Sequence, residues 1–145
     1  MQKEIKHIWH FDRSPQEVWE YLTKPELLEQ WLMKTDFQPI VGHKFHFIGE
    51  CNDEGKAAAH CEVLEIKPYT HLSYSWRTNS VIDNKPYTSK VVWTLIPKEN
   101  GTEMQLVHNG FTMLEDVIAH NDGWTRIGNK IVEFLNGVKN DSTNT

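Results

Sequence analysis

Eight histidines and two cysteines in a 145-residue chain raise metal binding as the first chemistry to test. Their spacing speaks against it. His43 and His46 stand three apart on a stretch that reads as a strand, so they point to opposite faces. His60-Cys61-Glu62 matches the first half of a zinc deaminase signature, but no later Pro-Cys-x-x-Cys supplies the remaining ligands. HExxH, GxGxxG, the phosphate-cradling P-loop and the GxSxG nucleophile elbow are all absent, so no metal, no cofactor and no catalytic residue is assigned. Cys51 and Cys61, ten apart and without CxxC spacing, read as reduced, buried thiols rather than a disulfide framework.

The second chemistry is recognition by flat rings. Trp9, Phe45, Phe47, Tyr74, Trp76, Trp93, Phe111 and Trp124 fall on positions that face inward if the strand and helix assignments below hold, with Ile127 and Ile131 beside them. Aromatic and apolar walls carrying a few polar groups are what ligand pockets use. The same spacing also serves a plain core. His108 on the last strand and His7 on the first are candidates to meet a ligand oxygen, joined by His60 and Glu62 if their face points inward. A cyclase-like proton transfer needs only such an acid or base positioned in an apolar cavity, and His7, Glu62 and His108 are its candidates.

These residues must be positioned by the elements around them. Residues 4–12 alternate, Ile5, His7, Trp9 and Phe11 against Lys6, His10 and Asp12, as a half-buried strand does. Ser14-Pro15-Gln16-Glu17 is a capping box with proline at the first helical position, and Pro25 opens a second short helix. Trp19 and Trp31 sit on these helices and are expected to pack them onto the sheet. From Val41 the period is two, with Val41, His43, Phe45 and Phe47 on one face. Lys56–Lys67 follows with Ala57, Ala59, Cys61 and Val63 aligned, then Leu72, Tyr74 and Trp76 after the Pro68-Tyr69 turn. Thr78–Pro86 reads as a loop; Val91, Trp93 and Leu95 alternate before the hairpin signal Glu99-Asn100-Gly101, and Met104, Leu106 and His108 alternate after it. A long amphipathic helix is expected over 122–139, with Trp124, Ile127, Ile131, Phe134, Leu135 and Val138 on its apolar face.

The order of strand, two short helices, five or six antiparallel strands and closing helix defines an α+β class, with one curved sheet wrapped around the C-terminal helix. A hydrophobic share of 39% with 24% charged residues is that of an ordinary globular chain, read as one domain over 1–139 with a disordered tail at 140–145. A net charge of -5 without basic clusters excludes a nucleic-acid partner on electrostatic grounds. No 18-residue apolar run is present, so no membrane span is expected; the N-terminus lacks a signal-peptide apolar region, and the expected location is cytoplasmic.

Several stretches together resemble a known family. Ser14-Pro15-Gln16-Glu17-Val18-Trp19-Glu20-Tyr21-Leu22-Thr23, Pro25-Glu26-Leu27 and Gln30-Trp31 are similar to the opening of START-like (SRPBCC) domains related to the activator of the heat-shock chaperone ATPase. Val41-Gly42-His43-Lys44-Phe45-His46-Phe47 resembles that family's Gly-Gly-basic-Phe-x-Phe strand, with His43 where a second glycine is usual. Val63-Leu64-Glu65-Ile66 with Leu72-Ser73-Tyr74-Ser75-Trp76 resembles its next hairpin, and Gly101-Thr102, His108-Asn109-Gly110-Phe111 and Gly123-Trp124 resemble its last strand and helix start. The resemblance implies a helix-grip fold and, most often in such domains, a cavity for a hydrophobic small molecule. Carrier, co-chaperone module and cyclase-like enzyme all occur on this fold, so a small-molecule ligand, a chaperone partner and a monomer or homodimer are the expectations it leaves.

Overall fold

The computed structural model describes residues 3–49 and 58–137. Expectations placed on Cys51, Lys56, Ala57, Val138 and the 140–145 tail fall outside the described residues. Strand β1 (Ile5–Phe11) leads into helices α1 (Pro15–Thr23) and α2 (Pro25–Trp31). Strands β2 (Lys34–Thr35), β3 (Lys44–Ile48), β4 (Ala59–Lys67), β5 (His71–Asn79), β6 (Pro86–Lys98) and β7 (Gly101–Asn109) follow, and helix α3 (Leu114–Val132) ends in a π-helical turn at Glu133–Gly137. The seven strands among the described residues form one antiparallel sheet in the order β1-β7-β6-β5-β4-β3-β2. The sheet curls around α3, the helix-grip arrangement of an α+β chain.

Local sequence accounts for much of this. At α1 the Ser14 hydroxyl accepts from the Glu17 N–H at 3.2 Å and the Glu17 carboxylate accepts from the Ser14 N–H at 3.4 Å, so two otherwise orphan donors are satisfied. Pro15 and Pro25 each occupy a first-turn position where no N–H is needed. In β7 the alternation is complete: Thr102, Met104, Leu106 and His108 are buried while the residues between them are half-exposed. A two-residue connection, Glu99-Asn100, joins β6 to β7, with Lys98 opposite Gly101. Gly101 has φ +151, and a Cβ there would stand 1.9 Å from the Phe11 carbonyl oxygen. Only glycine lets β1 approach so closely. An irregularity between Val63 and Glu65 in β4 adds curl to the sheet.

Several expectations are corrected. The closing helix begins at Leu114, eight residues before Asp122, because its first turns bury Asp116 and hold His120 half-buried, so no apolar stripe marks them. Phe134 is 37% exposed; it lies in the π-helical turn, which changes the angular step and leaves Leu135 as the buried residue. Val41 is 63% exposed rather than aligned with Phe45 and Phe47, since Gly42 at φ +90 turns the chain before β3 starts at Lys44. The loop between β5 and β6 is shorter than expected, because β5 continues to Asn79 and β6 starts at Pro86. The two-residue strand β2 escaped the sequence reading; it seats Phe37, 1% exposed, edge-on against Phe45 at 4.9 Å.

Candidate functional site

Under α3 the strands present a row of indole and imidazole rings. Trp76 on β5 and His108 on β7 rise from the sheet, and His120 and Trp124, one turn apart, descend from the helix. Asp116, His120 and Trp124 recur every four residues, so one face of α3 carries all three.

The hydrogen bonds among them settle both imidazole tautomers, because an indole N–H can only donate. Trp124 Nε1 donates to His108 Nδ1 at 3.0 Å, which leaves the proton on Nε2. That nitrogen lies 2.7 Å from Ser89 Oγ, and the Ser89 hydroxyl donates onward to the Trp76 carbonyl at 3.2 Å. Trp76 Nε1 donates in the same way to His120 Nε2 at 3.2 Å, so His120 Nδ1–H donates to the Asp116 carbonyl at 2.9 Å. The Asp116 carboxylate is itself held by the Ser80 hydroxyl at 2.7 Å and the Val81 N–H at 2.8 Å. Both imidazoles are therefore neutral acceptors towards an indole. Burial, reinforced by the nearby His120, lowers His108 to about 3. Burial also lowers His120, against the opposing pull of the Asp116 carbonyl and carboxylate.

Beside this network the helix and sheet leave a cavity of about 200 Å³. Among the described residues its floor is Trp76 and Trp124, and its other walls are Met33, Ala58, Ala119, Gly123 and Ile127, with His120 and Arg126 as the polar groups. Ala119, Gly123 and Ile127 follow one another at four-residue steps along α3. Two of the three are too small to fill the space opposite the rings. A depression of about 430 Å³ at the β6–β7 turn is larger but is bounded by the turn itself, Lys98 to Thr102, and by His10, Phe11 and Asp12. It lacks the convergent aromatic floor that recognition requires.

Of the ten ligand-contact residues expected from the sequence, the structure brings Trp76, Trp124 and Ile127 together on the cavity wall. His108 stands directly behind them, with no exposed surface and both ring nitrogens engaged. Phe45, Phe47, Tyr74 and Trp93 do not line it but form a packed aromatic cluster behind its floor, with Phe47 5.5 Å from Trp76 and Trp93 5.6 Å from Trp124; Trp93 Nε1 donates to the Tyr74 hydroxyl at 2.9 Å. Ile131 is wholly buried, and Trp9 stacks on His7 with centroids 5.3 Å apart while its ring presses on Gly128 of α3. His7 pairs with Asn121 at 2.8 Å, and His60 and Glu62 lie in a separate, polar depression with Lys44 and Arg77. Sequence reading missed His120, Asp116, Ser80, Ser89, Ala119 and Arg126. The four-residue recurrence from Asp116 through His120 to Trp124 is the signal that could have revealed the first two. Among the described residues no cluster of His, Cys, Asp or Glu has the makings of a metal site, and no helix is long and apolar enough to cross a membrane.

Residues 12–136 match the protein family described as activator of Hsp90 ATPase homolog 1-like protein. Among solved structures, a protein from Mesorhizobium loti is 30% identical, with 98% of this chain and 99% of that one covered and a TM-score of 0.81. CalU16 from Micromonospora echinospora is 22% identical, with 92% of this chain and 76% of that one covered and a TM-score of 0.74. The Aha1 dimer from Colwellia psychrerythraea is 19% identical over 91% of this chain and 95% of that one, with a TM-score of 0.73. At these lower identities the likeness is one of fold. A search of the curated proteins found no match.

Proposed function

The chain belongs to the activator of Hsp90 ATPase homolog 1-like family, and from that premise we propose that it binds or carries a hydrophobic small molecule, a lipid, flavonoid or polyketide-like body, between α3 and the sheet. Family and fold are of a START-like type that includes ligand-binding and polyketide-cyclase-like members. The observation that carries the reading is the cavity floored by Trp76 and Trp124, whose N–H groups are already satisfied by His120 and His108. An apolar ligand can cover those rings without stranding a donor. Removing about 300 Å² of ligand surface from water contributes roughly 7 kcal/mol before association costs, so apolar burial alone gives weak binding of about millimolar strength. Among the described lining residues the titratable imidazole is His120, and both of its nitrogens are engaged, which favours binding over proton transfer.

The test is tryptophan fluorescence during titration with fatty acids, flavonoids and polyketide-like aromatics. Saturable quenching with one class is expected, lost in Trp124→Ala but retained when outward-facing Lys6 is replaced. Absence of quenching by every class at millimolar concentration would sink the reading.

A second reading, docking on a larger protein such as the Hsp90 chaperone, is favoured by a different feature. Val81, Ile82, Leu114 and Ile118 are each 47–60% exposed, and the Asp116 carboxylate ties the Val81 backbone to the start of α3. Co-sedimentation with an Hsp90 chaperone, and its loss in Ile118→Asp, would support this surface; no co-sedimentation would remove it.

A further inference from the structure

We infer that the ligand is a small, flat organic acid, ionised at neutral pH, seated with its rings on Trp76 and Trp124 and its carboxylate on Arg126. The inference rests on the binding reading above and names its chemical class.

Among the described residues two polar side chains line the cavity, and they differ in what remains for a ligand. His120 is neutral with both nitrogens engaged. Arg126 lines the same cavity, is exposed, and makes no hydrogen bond or ion pair among the described residues. Asp122 stands one turn before it on α3, yet no ion pair joins them. In a chain with 20 acidic against 15 basic Lys and Arg residues, an unpaired guanidinium beside an apolar wall is not a product of excess basic residues.

The Asp116 carboxylate does not compete for it. The Asp116 carboxylate is held by Ser80 and Val81 and does not line the cavity. A guanidinium is planar, permanently charged, and offers paired N–H groups that match the two oxygens of a carboxylate. Among the described residues no acidic side chain lines the cavity to receive a cationic ligand. A cavity of about 200 Å³ is smaller than the roughly 300–1,000 Å³ of drug-sized ligand sites, which suits a body of about two fused rings.

Calorimetric titration of the intact protein with 2-naphthoate and with its neutral isostere 2-naphthamide tests this, on the wild type and on Arg126→Gln. Because Arg126 is exposed, the expected preference for naphthoate is modest, about five- to tenfold in Kd. That preference should vanish in Arg126→Gln, with both probes binding at closely similar Kd. Equal binding of the two probes to the wild type overturns the inference and leaves the apolar pocket standing. A naphthoate preference that survives Arg126→Gln overturns the assignment to Arg126. If neither probe binds up to millimolar concentration, the binding reading falls and this inference falls with it.

Discussion

The space between sheet and helix is aromatic throughout, yet its two halves behave differently. In one half Trp93 is met on several sides, by Trp31 from α2 at 6.0 Å, by Trp124 at 5.6 Å and by Trp9 at 6.3 Å, while Phe45 is wedged among Phe37, Phe47 and Tyr74. Every one of these rings except Trp9 is buried, and the facing helix residue Ile131 is large. In the other half Trp76 and Trp124 are also buried, but α3 sets the small residues Ala119 and Gly123 beside them and a cavity remains. The same residue type thus makes core in one place and a wall in another. What differs is the size of the side chains that α3 sets beside the rings.

The largest effect that would sharpen this contrast comes from Trp93→Ala. Removing a fully buried ring that also donates to the Tyr74 hydroxyl should cost about 3–5 kcal/mol, read as a lowered urea midpoint. A loss below about 1 kcal/mol would mean that the first half is not closely packed after all.

The buried imidazole gives the next effect. His108 is held neutral in the folded chain, its value lowered to about 3 from an ordinary 6.5. Between those values the unfolded chain binds a proton that the folded chain does not. Stability from this group is therefore complete above pH 6.5 and is lost as pH falls, at up to about 1.4 kcal/mol per pH unit. His120, also lowered, adds in the same direction. Urea midpoints between pH 7 and 5 separate this from the carboxylates Asp36 and Glu103, whose lowered values place their contribution in more acid solution. The slope should flatten in His108→Gln; an unchanged slope would place the proton uptake elsewhere.

The smallest stability effect is expected in the open half. Ala119→Leu puts a larger side chain into an existing void on an exposed helix position, and should change stability by less than about 1 kcal/mol. It should nevertheless abolish ligand quenching. Quenching that persists in this variant would break the assignment of the void as the ligand site.

Much of the fold could be read locally. The capping box at Ser14, the prolines opening both short helices and the Glu99-Asn100-Gly101 turn each act through neighbouring residues, and each forms where expected. The alternations along β1, β4, β5, β6 and β7 also put their apolar faces inward. Readings that depended on distant partners fared differently. The start of α3 was invisible because its buried face is polar, and Asp116 is tolerated there only because Ser80 and Val81, far back in the chain, supply its donors. Gly128 offers a related case: a Cβ would come within 2.5 Å of the Trp9 ring, a contact between the first strand and the last helix.

By itself the sequence determined which face of most strands turns inward, where α1 and α2 begin, and that a curved sheet must close on a C-terminal helix. These follow from period, capping and turn chemistry, all of which act over a few residues. Only the tertiary structure decided that Trp76 and Trp124 border a cavity while Trp93 and Phe45 are packed solid, and that His108 and His120 serve as acceptors for two indoles. Inward-facing rings look alike along the chain, and whether one meets a glycine, an isoleucine or another ring depends on contacts between elements far apart in sequence. Burial and hydrogen-bond satisfaction are properties of those long-range pairings, so they come into being only when sheet and helix meet.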